Sequence, residues 1–214
     1  MTNTSKSSAI EGYLKQFNPP SNPVLARLVK EHTERTDVIP CIGEEAAGFI
    51  YWLVRLIKAK EVVEFGSCIG YSTIVIGEAV KANGGHLTSI EIAKNHYREA
   101  VRNVREARLS DYVSIVNGDA KNEFEKMSGP FDFIMQDSLK ALYPVMIGDC
   151  VEKLRAGGVM VADDTLFLPV GKAEKLAVPM DAYNKLIFGD SRLTSTIVPI
   201  GDGLTVSFKC ESKS

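Results

Sequence analysis

A chain of 214 residues is long enough to bury a substantial core and is the usual size of one domain. Apolar residues make up 45% and charged residues 24%, as in ordinary globular proteins, and a net charge of −2 argues against a broad phosphate-binding surface. No apolar run approaches the roughly 20 residues needed to span a bilayer, so no membrane partner is expected.

In chain order, residues 9–17 and 24–35 predict two short helices around the Asn18-Pro19-Pro20-Ser21-Asn22-Pro23 break. Residues 43–60 predict a longer helix with Phe49, Trp52, Leu53 and Leu56 on one face, Trp52 being read as core or interface. A regular alternation follows. Strands are expected at 62–65, 86–91, 112–116, 131–136 and 159–162, and helices at 71–81 and 95–109, the second with Tyr97, Val101, Val104 and Arg108 in register. A short helix is expected after Asp119, and another opened by Pro144 and stopped by Gly157-Gly158. Residues 195–200 and 204–208, joined by Gly201-Asp202-Gly203, read as a hairpin. Strands alternating with helices predict an α/β fold with a mostly parallel sheet, here seven-stranded with a C-terminal antiparallel hairpin and N-terminal helices.

Cys41, Cys68, Cys150 and Cys210 form no C-x-x-C pair, which leaves reduced thiols as the default. With residues 1–8 polar and without an apolar signal core, a cytoplasmic location is expected. Arg98, Arg102, Arg105 and Arg108 read as a solvated helix face. The three histidines offer no nucleophilic triad: His32 and His96 fall on helices, and His86 starts a strand.

In an open parallel sheet, ligands bind beyond the carboxyl ends of the strands. After the first strand comes Glu64-Phe65-Gly66-Ser67-Cys68-Ile69-Gly70. Gly66 and Gly70 permit close backbone approach, and Ser72 offers donors for a carboxylate at a helix N-terminus. Glu64 could orient this turn or a cofactor amino group. A dinucleotide turn would need glycines where Cys68 and Tyr71 stand, which counts against a nicotinamide-dependent oxidoreductase. Glu91, ending the second strand, suits two ribose hydroxyls. Asp119-Ala120 follows the third strand, to meet an adenine edge or, for Asp119, to cap a helix.

The fourth and fifth strands end in Asp137 and in Asp163-Asp164. Adjacent strands would gather these carboxylates at one point, where they repel unless protonated or bridged by a cation; separate solvated caps are the alternative. Hard oxygen donors favour Mg2+ or Ca2+. Lys140 would project toward the same cleft. A cation and partial burial would lower its pKa and let it take a proton from a hydroxyl; otherwise it is a surface lysine.

Together these motifs resemble the metal-dependent class I O-methyltransferases that include the catechol and caffeoyl-CoA enzymes and many small bacterial members. The resemblance covers roughly residues 38–209. It is carried by the 63–72 turn, Phe131-Asp132-Phe133-Ile134, Asp137-Ser138-Leu139-Lys140 with Tyr143-Pro144, Asp163-Asp164-Thr165-Leu166-Phe167, and Pro199-Ile200-Gly201-Asp202-Gly203-Leu204. It implies a Rossmann-like methyltransferase domain: a catalytic core at 38–209 behind a helical extension at 1–37. It also implies S-adenosylmethionine as cofactor, with a divalent cation, Mg2+ first and Ca2+ or Mn2+ next, on Asp137, Asp163 and Asp164. Lys140 is the implied general base. Glu64, Gly66, Ser72, Glu91 and Ala120 are implied cofactor contacts, with Ile42 and Gly43 at the methionine end and Ser138 and Leu139 at the adenine. Ser67, Gly70, Ile92, Asp119 and Asp137 complete the expected cofactor set.

Two positions depart from the family pattern. Asp164 stands where Asn is common, which predicts tighter metal binding and weaker stabilisation of a substrate oxyanion. Cys68 occupies a variable turn position. The expected acceptor is a small catechol-like hydroxyl compound, with a hydroxylated uridine of transfer RNA as the alternative and a non-catalytic cofactor-binding protein as a third reading. The N-terminal helices predict a homodimer, and residues 167–180 are expected to line the acceptor pocket.

Overall fold

The computed structural model describes residues 13, 17, 22–38 and 41–211. The predicted helix at 9–17 and the break at 18–21 lie almost wholly outside them. Helix α1 (Pro23–Glu34) starts on Asn22, whose side chain caps Val24 N, and α2 spans Glu44–Leu56. Then come β1 (Glu61–Phe65), α3 (Tyr71–Asn83), β2 (His86–Glu91), α4 (Lys94–Glu106), β3 (Val113–Asn117) and α5 (Ala120–Glu125). The chain continues through β4 (Phe131–Gln136), a 3-10 turn at Lys140–Leu142, α6 (Tyr143–Lys153), β5 (Leu154–Ala162), α7 (Glu174–Gly189), β6 (Leu193–Val198) and β7 (Leu204–Lys209).

The strands form one sheet in the order β3-β2-β1-β4-β5-β7-β6, parallel except for β7, which runs antiparallel to both β5 and β6. Alternate residues of the central strands feed two cores: Val62, Leu87, Phe133 and Val159 on one face, Val63, Phe65, Ile134 and Met160 on the other. Burial on both faces is what the near-continuous apolar runs of these strands require. The strand order reverses between β1 and β4, so the ligand crevice of such a sheet opens beyond their carboxyl ends. No helix among the described residues is long and apolar enough to cross a membrane.

Four expectations are corrected. The α2 helix stops at Leu56 and buries Ala46, Ile50, Leu53 and Val54, leaving Trp52 (53% exposed) and Leu56 (57%) outward. Helix α4 buries Ala100, Asn103 and Val104, while Val101 faces solvent. Gly157-Gly158 lie inside β5, not at a helix end; Gly157, at φ +70°, sits where β4 pairing jumps from Leu154 to Val159, so the glycines serve a bulge. The 174–189 stretch, for which the sequence predicts no element, is the 16-residue helix α7, which runs through Pro179 because buried Ala177, Met180, Tyr183 and Ile187 anchor it.

Candidate active site

Asp137 N donates to Phe65 O at 3.0 Å, joining the ends of β1 and β4 across the crevice. Gly66, at φ +95°, lies so close to this junction that a Cβ there would stand 2.0 Å from Asp137 O. Only glycine lets the two loops touch. Beyond it, Cys68 adopts φ +45°, and Glu91 holds the turn from below: Cys68 N donates to its Oε2 and Ala93 N to its Oε1, each at 2.8 Å.

A cleft of about 490 Å³ opens above these loops, a size typical of small-molecule sites. Its β1–β3 side is walled by Gly66, Ser67, Ser72, Glu91, Ile92 and Ala120, with Ile42 arriving from the segment before α2. Asp119 lines the cleft and also caps α5, accepting from Asn122 N at 3.0 Å. Asp137, Ser138, Leu139 and Lys140 wall the β4 side, and Asp163 and Asp164 the β5 side.

Three expected cofactor contacts are set back from this wall. Gly70 faces Ala100, whose Cα would be 3.4 Å from an added Cβ, so it serves α3–α4 packing. Gly43 caps α2 at φ +76°. Glu64 is fully buried beneath the turn and accepts from the Ser89 and Thr73 hydroxyls through Oε2. Burial pushes its carboxyl up to about 7, partly opposed by the Ser72, Ser89 and Thr73 hydroxyls.

The carboxylates of Asp137, Asp163 and Asp164 converge, each offering an oxygen within 4.8 Å of the others. Asp164 takes φ +67°, a left-handed conformation that Asp and Asn tolerate better than other side chains. Burial, then the charges of Asp137 and Asp164, holds Asp163 well above the carboxylate range, and burial also raises Asp164. Lys140 Nζ lies 2.7 Å from Asp164 Oδ2, 3.1 Å from Asp137 Oδ1 and 2.9 Å from the Tyr143 hydroxyl. Desolvation works to lower its pKa but is outweighed by Tyr143, Asp137 and Asp164, so it stands well above the ordinary lysine value. Two carboxylates within ion-pair distance outweigh burial here, whereas the expected lowering supposes a cation that competes with Lys140 for the same oxygens. Three crowded, half-desolvated carboxylates suit a hard dication as donors.

Phe167, Lys172 and Leu176 line the cleft from the 167–180 segment expected there, whereas sequence reasoning misses His32, Cys41 and Asp202, which also line it. Nothing local marks His32 and Cys41, which arrive because α1 and the segment before α2 fold over α3 and α4. Asp202 sits in the hairpin turn and pairs with Lys172 at 2.8 Å. That turn braces the segment after Asp164: Thr165 N donates to Gly203 O at 3.0 Å and Leu166 N to Asp202 O at 2.8 Å.

A family model described as O-methyltransferase matches residues 16–210. The catechol O-methyltransferase of Niastella koreensis is 28% identical over 158 residues, covering 70% of this chain and 71% of the relative. The caffeoyl-CoA O-methyltransferase 2 of Populus trichocarpa is 27% identical over 175 residues, covering 74% and 70%. The solved O-methyltransferase of Bacillus cereus, in complex with SAH, superposes with a TM-score of 0.79 at 22% identity, covering 94% and 97%, and supports the fold. The fold and the strand-end cleft are those of a class I methyltransferase. The chain belongs to the O-methyltransferase family and is an S-adenosylmethionine-dependent O-methyltransferase.

Proposed function

We propose that this enzyme methylates one hydroxyl of a small catechol-like acceptor, with a divalent cation on Asp137, Asp163 and Asp164 and with Lys140 as proton acceptor. The observation that carries the reading is the convergence of the three carboxylates around Lys140 Nζ in the cleft that the Gly66 turn shares. The catechol and caffeoyl-CoA relatives add support, since their named substrates carry ring hydroxyls.

The methyl donor binds along the β1–β3 wall, with Ser67, Ser72 and Ile42 at one end, Glu91 at its ribose and Ala120 and Ser138 toward its base. A Mg2+ ion on the three aspartates, or Ca2+ or Mn2+ on the same donors, would polarise the acceptor's vicinal oxygens and favour the alkoxide or phenolate form. Lys140 would lose Asp137 and Asp164 to a cation competing for the same oxygens, which lowers its pKa, and the neutral Nζ would then take the hydroxyl proton. Phe167 and Leu176 form the apolar wall that seats the ring and keeps water from the transfer. Alignment of the two reactants supplies the remaining acceleration, worth up to about 7–11 kcal/mol in well-oriented systems.

The outward Trp52 and Leu56 of α2, with the half-buried Phe49 ring 6.0 Å from that of Trp52, support a second copy of this chain as partner. Labelled cofactor tested against a catechol panel and unmodified transfer RNA, with Mg2+ or with chelator, decides the acceptor and the cation together. Methylated catechol that disappears in chelator is expected. Labelling of transfer RNA alone replaces the acceptor, and full activity in chelator removes the cation.

A further inference from the structure

Lys140 is a long, flexible side chain, and three acceptors meet its Nζ: Asp137, Asp164 and the Tyr143 hydroxyl. The two carboxylates belong to the cluster proposed to coordinate a cation, and an oxygen that faces a cation is withdrawn from a lysine. Tyr143 carries no such second duty. Its own hydroxyl hydrogen is committed to Gln136 O at 2.9 Å, so a lone pair is what it turns toward Nζ. Tyr143 is 1% exposed, its ring stands edge-on to Tyr183 at 5.6 Å, and it opens α6 directly after the Lys140–Leu142 turn. The side chain is therefore a rigid post planted on the end of β4, the strand that also delivers Asp137.

Tyr143 is not part of the cleft wall, so it meets neither the cofactor nor the acceptor. We infer that Tyr143 is a positioning residue: its hydroxyl holds Lys140 Nζ in register with the acceptor oxygen by fixing one N–H. The inference rests on the reading of Lys140 as proton acceptor. A base that must reach a substrate hydroxyl loses efficiency steeply with misplacement, about a hundredfold for an error of about 1 Å. Without the hydroxyl, Lys140 keeps its chemistry and loses its address.

The test is a cycle of Tyr143→Phe, Lys140→Met and the double variant, read as single-turnover methylation of catechol from labelled cofactor. Tyr143→Phe is expected to slow transfer roughly tenfold to a hundredfold while leaving the dissociation constant for adenosylhomocysteine unchanged. In the Lys140→Met background the same change is expected to have no further effect, because residues acting through one another are not additive. Equal losses in both backgrounds overturn the positioning role and leave Lys140 as the base. A Lys140→Met enzyme as fast as the parent removes the base, and the positioning role with it. A crystal structure of Tyr143→Phe tests the same role without any acceptor. Lys140 displaced or in several rotamers is expected, and Nζ superposing on its parent position overturns the inference.

Discussion

The two halves of the cleft are built on opposite plans. The half over β1–β3 grips with backbone and with neutral or singly charged groups: Gly66, Ser67 and Ser72, and a Glu91 whose oxygens already hold two amides. The half over β4 and β5 is made of side-chain charge, three aspartates against one lysine. The first is shaped by main-chain geometry and tolerates little change in shape. The second is shaped by electrostatic balance and tolerates shape while depending on charge.

The largest break in this contrast is expected at Gly66. A methyl group there meets Asp137 O at 2.0 Å in a backbone conformation that L side chains resist, so Gly66→Ala should cost about 3 kcal/mol or more. Urea unfolding and adenosylhomocysteine titration read it, and unchanged values for both would mean that main-chain contact does not shape this half.

A smaller effect tests Glu64, the fully buried acid of the shape-driven half. Glu64 is raised from 4.5 to about 7, so the folded state binds a proton that the unfolded state has released between those values. Stability is fully present below about pH 4.5 and is lost as pH rises through about 7. Glu64→Gln removes that loss, and at about pH 8 it should stabilise the protein by up to about 3 kcal/mol, with little gain at about pH 5. Denaturation midpoints that shift equally at both pH values would show that Glu64 carries no such penalty.

The smallest effect belongs to the charge-driven half. Asp164→Asn keeps the left-handed backbone tolerable and removes one charge. Because Lys140 already offsets Asp164 at 2.7 Å, Mg2+ affinity measured by calorimetry should fall only about tenfold, or about 1.4 kcal/mol. An unchanged affinity would mean that Asp164 serves Lys140 and not the cation.

How much of this can be read in the sequence follows the same division. The β4 strand, Phe131–Gln136, and the positive-φ glycine turn are visible because their signals are local: an apolar run ended by a polar residue, and spaced glycines. The α7 helix is hidden because Pro179 interrupts the pattern, and only packing of Met180, Tyr183 and Ile187 overrides that break. The three aspartates stand out through their places at strand ends. The state of Lys140 does not, since its pKa depends on which oxygens surround Nζ, and spacing along a chain does not encode that balance. The burial of Glu64 beneath the turn is hidden too, since its hydroxyl partners, Thr73 and Ser89, lie 9 and 25 residues away in other elements.

The contact between Gly66 and Asp137 acts as a gauge block between the two reactants. In the proposed reaction the donor's seat and the acceptor's anchor share one main-chain joint where two loops leave adjacent strands, and that joint would set the gap that the methyl group crosses. On that proposal, acceptor choice could drift at Phe167, Lys172 and Leu176, which line the cleft away from the joint, without detuning the stroke. A redesign for bulkier acceptors should cut into that outer wall and leave the joint alone.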